Sequence, residues 1–397
     1  MPIRSVADLD VAGKRVLVRV DFNVPLDEQG RVTDDTRVVA SMPTVRNLIS
    51  RGARIILMSH LGRPKGKRVE SMSLAPVAGA LEKHVGSKVA FAEDCVGPAA
   101  QEAAASLQDG QAALLENLRF YEGEEANSVD FASKLAELGE VYVNDAFGAA
   151  HRAHASTDAV PRMMKQKGAG FLMLKELDYL GRALQKPERP FVTILGGAKI
   201  SGKIDVILNM LPRVDRLLIG GGMMFTFLKA QGLPVGLSLV DEERVKMAGD
   251  VLQKAEGEGK PLALPKDCLI SDNVKKAGAS RVVQVGEIPV DRYGVDIGPA
   301  TLREFSEVIR GAKTVLWNGP MGIFEIDAYS AGTEGVARAL AQATAAGATT
   351  LVGGGDSIAA LAKVGVASKI SHVSTGGGAS LEFLAGKTLP GVAALGA

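Results

Sequence analysis

GFLMLKELDYLGRALQKPERP, Gly170 to Pro190, lies near the middle of the 397-residue chain. Leu172, Leu174, Leu177, Leu180 and Leu184 recur close to the helical period, so the stretch predicts a single amphipathic helix of several turns, stopped by Pro187 and Pro190. Before it, the polar residues at strand ends are arginine, histidine and carboxylate. After it, they are runs of glycine with a few lysines and acids. The helix thus separates two half-sites of different chemistry.

Length supports the division. A single hydrophobic core stops growing beyond roughly 250 to 300 residues, so 397 residues predict two domains of similar size. Apolar residues make up 46% and charged residues 23%, the proportions of an ordered globular chain. Lys and Arg total 46 against 45 Asp and Glu, with no basic tail to follow a nucleic-acid backbone, so any anionic ligand must be met locally. Cys95 and Cys268 lie one in each half, which argues against a disulfide framework and for a reducing compartment. The N-terminus lacks an apolar signal core and no run reaches the ~18 apolar residues of a membrane span. A cytoplasmic protein is expected.

In the first half, strands and helices alternate from Arg15 onward. RVLVRVDFNVP, RIILMSH, KVAFAEDC, QAALLENLRF and EVYVNDAF read as strands, and TRVVASMPTVRNLISRG, LAPVAGALEKHVG, PAAQEAAASL and SVDFASKLAELG as helices. This rhythm predicts a mostly parallel sheet covered by helices, whose ligands bind beyond the carboxyl ends of the strands. At those ends stand Asp21 and Asn23, His60 and Arg63, Arg119, and His151 with Arg152, while Arg37 opens the first helix. Arginine forks meet phosphate or carboxylate oxygens bidentately, so the implied ligand is small and multiply anionic. Asp21 and Asn23 also suit a turn cap before Pro25. His151 and His154 have the spacing of a metal pair, but without a matched acidic partner they are not read as one.

In the second half the strands run into glycine: FVTIL into GGAKISGK, RLLI into GGGM, TVLW into NGPMGIFE, TTLV into GGGDS, SHVST into GGG. PLALP and RVVQV look like further strands, the latter suiting a side hairpin. Strand, glycine loop and helix is the arrangement by which backbone amides hold phosphate, so this half is expected to bind a nucleotide. Gly197, Gly202 and Lys203 satisfy GxxxxGK, but Ile204 replaces the Ser or Thr that a P-loop gives to magnesium. A magnesium ligand must come from elsewhere, and Asp356 is the best-placed carboxylate, with a helix N-cap as its alternative role. The dinucleotide fingerprint GxGxxG and the HRD and DFG signatures are absent.

VRVDFNVP, DDTR, SHLGRP, ENLRF, VNDAFGAAHRAHAS, GFLMLKELDYL, GGAK, IGGGM, WNGPMGIFE, GGGDS and STGGGASLE, in this order over nearly the whole chain, resemble the phosphoglycerate kinases. The resemblance implies two doubly wound parallel-sheet, Rossmann-like α/β domains joined by a hinge helix: residues 1–170 with 381–397 for phosphoglycerate, 171–186 as the hinge, and 187–380 for nucleotide. It implies reversible phosphoryl transfer between 1,3-bisphosphoglycerate and ADP, with Mg2+, giving 3-phosphoglycerate and ATP. It assigns Asp21, Asn23, Arg37, His60, Arg63, Arg119 and Arg152 to the phosphoglycerate. Lys203, with Lys199, goes to the nucleotide phosphates and the transferring group, Gly220 and Gly221 to the adenine side, Asn318 to the nucleotide and Glu325 to the ribose. Asp356 becomes the magnesium ligand, beside Gly354, Gly355 and Ser357, and Gly376 and Gly377 become amide donors to the transferring phosphoryl. Arg37 becomes catalytic, bridging acceptor and phosphoryl. The chain departs from the family pattern at Gly202, where many relatives carry Asp, and at Leu174, where an acidic or amide residue is common. A monomer acting on small molecules, without nucleic acid or membrane, is expected.

The resemblance also accounts for an absence. No general-base pair is found, because an acceptor carboxylate with pKa near 4 is already ionised at neutral pH. A nicotinamide-dependent oxidoreductase and a catalytically silent scaffold are the rival classes; the missing fingerprint opposes the first and the full set of charged site residues the second.

Overall fold

The computed structural model describes residues 3–260 and 262–396. Two compact units divide the chain, Met1–Asp178 with Thr388–Ala397 and Tyr179–Lys387. The crossings therefore fall inside the central helix and at Lys387, later than the expected 170 and 381. The helix 378–384 lies in the second unit, and only the segment from Thr388 returns.

In the first unit β1 (Arg15–Arg19), β2 (Arg54–Met58), β3 (Val89–Ala92), β4 (Ala112–Leu115), β5 (Val141–Asn144) and β6 (Gln166–Ala169) form a parallel sheet in the order β3-β4-β2-β1-β5-β6. The strands are short because four or five apolar residues suffice to span a sheet buried on both faces. Val16, Val18, Val45, Leu48, Ile55, Leu57, Leu81 and Val143 form the core between sheet and helices. Strand order reverses beside β1, which with right-handed crossovers puts helices on both faces and opens a crevice at the β1 and β5 carboxyl ends. Strand β6 was not anticipated, because QKGA has neither alternation nor β-branched residues; its Gly168 and Ala169 are buried where Arg4 runs alongside, the Ala169 amide donating to the Arg4 carbonyl at 2.9 Å.

In the second unit the strands are β7 (Phe191–Leu195), β8 (Arg216–Ile219), β9 (Leu262–Ala263), β10 (Asp267–Ser271), β11 (Ser280–Gln284), β12 (Tyr293–Ile297), β13 (Thr314–Asn318), β14 (Thr349–Gly353) and β15 (His372–Val373). Six of them make a parallel sheet in the order β15-β14-β13-β7-β8-β9, reversing between β7 and β13. The other three form an antiparallel side sheet, β11-β10-β12, which contains the expected RVVQV hairpin. Trp317 is fully buried in β13, its indole N–H donating to the Gly319 carbonyl at 2.8 Å.

The central helix spans Phe171–Gln185. Its buried positions are Met173, Glu176, Leu180 and Ala183; of the expected leucine stripe only Leu180 is buried, and Leu172, Leu174, Leu177 and Leu184 are half-buried. The leucines spread over too wide an arc for one contact line. Glu176 enters the buried line instead.

Candidate active site

The first half-site grows from β1. RVLVR is apolar except at its ends, yet Arg19 is fully buried. Its Nε donates to Ser156 Oγ at 2.8 Å, Nη1 to the Val20 carbonyl, and Nη2 meets His60 Nδ1 at 3.1 Å. Ser156 passes the charge on: its hydroxyl donates to Glu124 Oε1 at 2.6 Å and its amide to Glu124 Oε2 at 2.9 Å, with Glu124 also fully buried. Removing one partner of such a buried pair costs about 3–5 kcal/mol, so this network is a rigid floor.

Above it lie the expected residues. Asp21 Oδ2 accepts from Arg37 Nη1 at 2.7 Å, and Arg37 sits at the start of the helix Thr36–Ser50. Asp21 Oδ1 also accepts from the Asn23 amide at 3.3 Å, the turn cap foreseen as an alternative, while Asn23 Oδ1 accepts from the Gly62 amide at 2.9 Å. Arg119 is buried, with Nη1 on the Gly62 carbonyl at 2.8 Å and Glu125 3.4 Å from Nε. Arg152 Nε donates to His151 Nε2 at 3.1 Å. Arg63 follows Gly62, is exposed and has no partner among the described residues.

The mutual repulsion of these cations is legible in their protonation. Burial, then the neighbouring Arg19, Arg119, Arg37 and His154, drives His60 well below the usual histidine range. His154 falls to about 3 through burial and the charges of Arg119, Arg19 and Arg152. Burial lowers even Arg119 to about 10. Positive charge is thus concentrated beyond what nearby carboxylates neutralise, an arrangement that suits an anion. His154 sits among the charges of Arg119, Arg19 and Arg152, with His151 beside them.

The second half-site lies at the reversal of the other sheet. Lys203 Nζ donates to the Gly196 carbonyl after β7 at 2.6 Å and to the Asn318 carbonyl at the end of β13 at 3.0 Å, the two strand ends that flank the switch point. Burial lowers its pKa to about 8 against the opposing pull of Asp356. Lys199 is exposed on the same loop and unpaired among the described residues. Lys203, Asn318, Gly354, Gly355, Asp356 and Ser357 line a cavity of about 340 Å³, with Gly377 and Gly378 on its far wall. Asn318 is buried and its Nδ2 has no partner among the described residues. Ser357 Oγ accepts from the Gly319 amide at 2.7 Å. The Gly376 amide is spent on Ser374 Oγ at 3.2 Å, and the amides of Gly377 and Gly378 are without a partner among the described residues.

A larger cleft of about 460 Å³ shares Gly197, Ala198 and Asp356 with the first and continues between Gly221, Met224, Phe225, Leu237, Val295 and Met321, with Glu325 exposed at its rim. Gly221 lines it at φ +64°; a Cβ there would come within 2.6 Å of the Pro320 carbonyl and 2.8 Å of that of Gly197. Gly220 lies behind the wall, where the Met321 thioether occupies its side-chain position. An apolar slot leading into a polar, amide-rich pocket fits a base and its phosphates.

The donor set also tests the implied magnesium. Asp356 is the second residue of the helix Gly355–Val364 and not its N-cap; that position is Gly354, without a side-chain bond. The carboxylate is exposed in the cavity and unpaired among the described residues. One free carboxylate beside a phosphate pocket suits Mg2+, which keeps several waters and takes its other ligands from phosphate oxygens.

Three buried charged groups at these sites escaped the sequence reading: Arg19, Glu124 and Asp296, a carboxylate lining the larger cleft, held by the amides of Ile297 at 2.9 Å and Gly332 at 2.7 Å and raised by burial to about 7. Arg19 could have been found, since a charge inside an apolar buried strand must be paired. For the two acids only the fold brings the partners together.

The chain matches the family model described as phosphoglycerate kinase over residues 6–387. It is 56% identical to a phosphoglycerate kinase of Chlorobium chlorochromatii and 55% identical to one of Chlorobium limicola, each over 395 residues and the whole of both chains. Among solved structures it resembles phosphoglycerate kinase from Coxiella burnetii, at 40% identity and a TM-score of 0.90 over 100% of this chain and 99% of that one. The enzyme from Pyrococcus horikoshii follows at 32% and 0.85, over 98% and 97%. An arginine crevice at one sheet reversal, a glycine-and-lysine pocket at the other, and similarity over the full length lead to one conclusion: the chain belongs to the phosphoglycerate kinase family.

Proposed function

We infer that this chain transfers a phosphoryl group reversibly between 1,3-bisphosphoglycerate and MgADP, giving 3-phosphoglycerate and MgATP in glycolysis. The observation that carries the assignment of parts is the pairing of two anion sites of different design at the two switch points: fixed side-chain cations in one unit, backbone amides with Lys203 in the other. Asp21, Asn23, Arg37, His60, Arg63, Arg119 and Arg152 hold the phosphoglycerate. Gly221 and the apolar cleft take adenine, with Gly220 as its backing, and Glu325 the ribose. Asn318, Gly354, Gly355, Ser357, Lys199 and Lys203 take the phosphates. Asp356 holds Mg2+, which supplies charge neutralisation on the phosphate oxygens.

The acceptor carboxylate needs no base, so the residues position and neutralise. Arg37, oriented by Asp21, spans acceptor and phosphoryl; Lys203 and Lys199 meet the equatorial oxygens; Gly377 and its neighbour donate amides, while Gly376 holds the loop through Ser374. Because each half-site belongs to a different unit, in-line transfer requires the units to close around both substrates, with the Phe171–Gln185 helix as the hinge, and closure protects the acyl phosphate from water. Each chain carries both half-sites, so a monomer suffices. No helix among the described residues is long and apolar enough to cross a membrane, and the cysteines are free and buried, which suits the cytoplasm.

A coupled assay with 3-phosphoglycerate and MgATP tests the reading. Turnover must require both substrates and magnesium; product formation without 3-phosphoglycerate, or none with all three, would overturn it.

A further inference from the structure

We propose that Arg19 is a positioning residue for His60, locking the ring in the neutral tautomer that carries its proton on Nε2 and offers that N–H to the acidic substrate. The argument starts from chemistry that allows one orientation only. A guanidinium donates and never accepts, and it stays charged in proteins. Arg19 Nη2 lies 3.1 Å from His60 Nδ1, so Nδ1 must present its lone pair. Arg19 cannot swing away: Nε is held by Ser156 Oγ at 2.8 Å, Nη1 by the Val20 carbonyl, and the residue is fully buried. A neutral imidazole that accepts at Nδ1 carries its proton at Nε2.

The ring also stays neutral. The charged groups facing it are Arg19, Arg119 and Arg37, with the titratable His154 beside them, and all of them oppose a second proton, as does burial. Nε2 makes no hydrogen bond among the described residues and is not one of the buried unpartnered atoms, so it opens toward solvent. The outcome is a permanent, uncharged donor set among fixed cations. Four arginines attract an anion from any direction; one directed N–H selects where its acceptor oxygen lies. His60 is thereby excluded as a general base, since its only free lone pair is taken by Arg19.

This inference rests on the reading that the cluster holds phosphoglycerate, and the test separates the two. Long-range nitrogen–proton spectra of the histidine rings, assigned with H60Q, are recorded on the free protein; the chain has five histidines, so the signals are resolvable. The expected pattern is an unprotonated Nδ1 and a protonated Nε2 for His60, unchanged down to about pH 5. A protonated Nδ1, or a ring that titrates near the ordinary value, overturns the proposal. Adding 3-phosphoglycerate should shift Nε2 while leaving Nδ1 as acceptor; no shift on saturation removes the substrate half and the site reading, but not the tautomer.

Substitution gives a second line. H60N keeps an acceptor for Arg19 and lacks the distal donor, while H60Q keeps a donor near the Nε2 position. KM for 3-phosphoglycerate should rise roughly tenfold or more in H60N, the worth of one hydrogen bond to a charged acceptor, and clearly less in H60Q. The opposite ranking overturns the donor role. In R19K the ammonium lacks the guanidinium's fixed fork, so the His60 ring should lose its single tautomer and a protonated Nδ1 should appear in the spectra. An unchanged ring in folded R19K protein would remove Arg19 from the role; if R19K does not fold, the wild-type spectra and the two His60 variants decide.

Discussion

Arg37 Nη1 donates to Asp21 Oδ2 at 2.7 Å, so the one arginine proposed to follow the reaction is oriented by a carboxylate of the loop that also holds Asn23. A side chain whose contacts strengthen mainly in the transition state depresses kcat more than it raises KM when removed. Arg37→Ala should lose roughly a hundredfold or more in kcat, about 3 kcal/mol, with a modest change in KM for 3-phosphoglycerate. Arg37→Lys should recover little, because a point charge cannot reproduce the fork. Arg63→Ala, removing an exposed side chain proposed as a ground-state ligand, should act chiefly on KM. Steady-state kinetics of the three variants checks this, and an intact kcat in Arg37→Ala would make Arg37 one more binding residue.

Lys203 offers a proton test of the phosphate pocket. Burial holds its pKa near 8 in the free protein. Arriving phosphates favour the charged form, so affinity for ADP should be complete below about pH 7 and decline as pH rises through 8, by up to about tenfold per unit. At pH 8 about half a proton should be taken up per ADP bound. Calorimetry in buffers of different ionisation enthalpy reads that number directly. Lys203→Arg should abolish the uptake; a buffer-independent enthalpy in the wild type would mean the amine is already fully charged.

Asp356 lies in the first turn of its helix without capping it, so its loss should separate metal binding from stability. Asp356→Asn is expected to change Tm little, with about 0.3–1 kcal/mol at stake from the helix dipole. It should lower the rate about a hundredfold and raise the magnesium requirement. Rates measured over a magnesium series decide, and wild-type kinetics at low magnesium would end the assignment.

Asp145, fully buried, accepts at Oδ1 from the amides of Leu172 at 2.9 Å and Met173 at 3.2 Å, at the start of the central helix. Burial raises it to about 6, above the unfolded value near 3.9. The folded state therefore holds the extra proton between about pH 4 and 6, and its contribution to stability falls as pH rises through that window. Above it the buried charge costs about 2–3 kcal/mol. Asp145→Asn keeps the amide acceptor and should stabilise the protein by about 2 kcal/mol at pH 8 and by little at pH 4. Urea unfolding at both values tests this; a gain independent of pH would exclude the titration.

Much of this molecule can be read from its sequence because strand ends in a parallel sheet put chemistry at predictable places. Asp21, His60, Arg119 and Arg152 do follow the ends of β1, β2, β4 and β5, where position alone put them, and glycine loops follow β7, β8, β13 and β14. Strand β6 escaped because QKGA owes its strand geometry to β5 and to Arg4 beside it rather than to propensity. The leucine stripe misled because five leucines on 15 helical residues cover more than one face, and Glu176 took a place no hydrophobic pattern assigns to a carboxylate. Glu124 and Ser156 are 32 residues apart and meet only through the fold.

The loops of the second unit meet backbone to backbone: Gly221 on the carbonyls of Gly197 and Pro320, and Gly196 on those of Gly319 and Pro320. Sequence drift has no foothold there, since any side chain would wedge two strand ends apart. Under the proposed reading, nucleotide preference has its freest room on the rim, at Leu237, Leu239, Val274 and Glu325, whose side chains border the cleft without being locked into that framework. Selection for a different base is then expected to begin at those four positions, leaving the glycine framework of the neighbouring pocket unaltered.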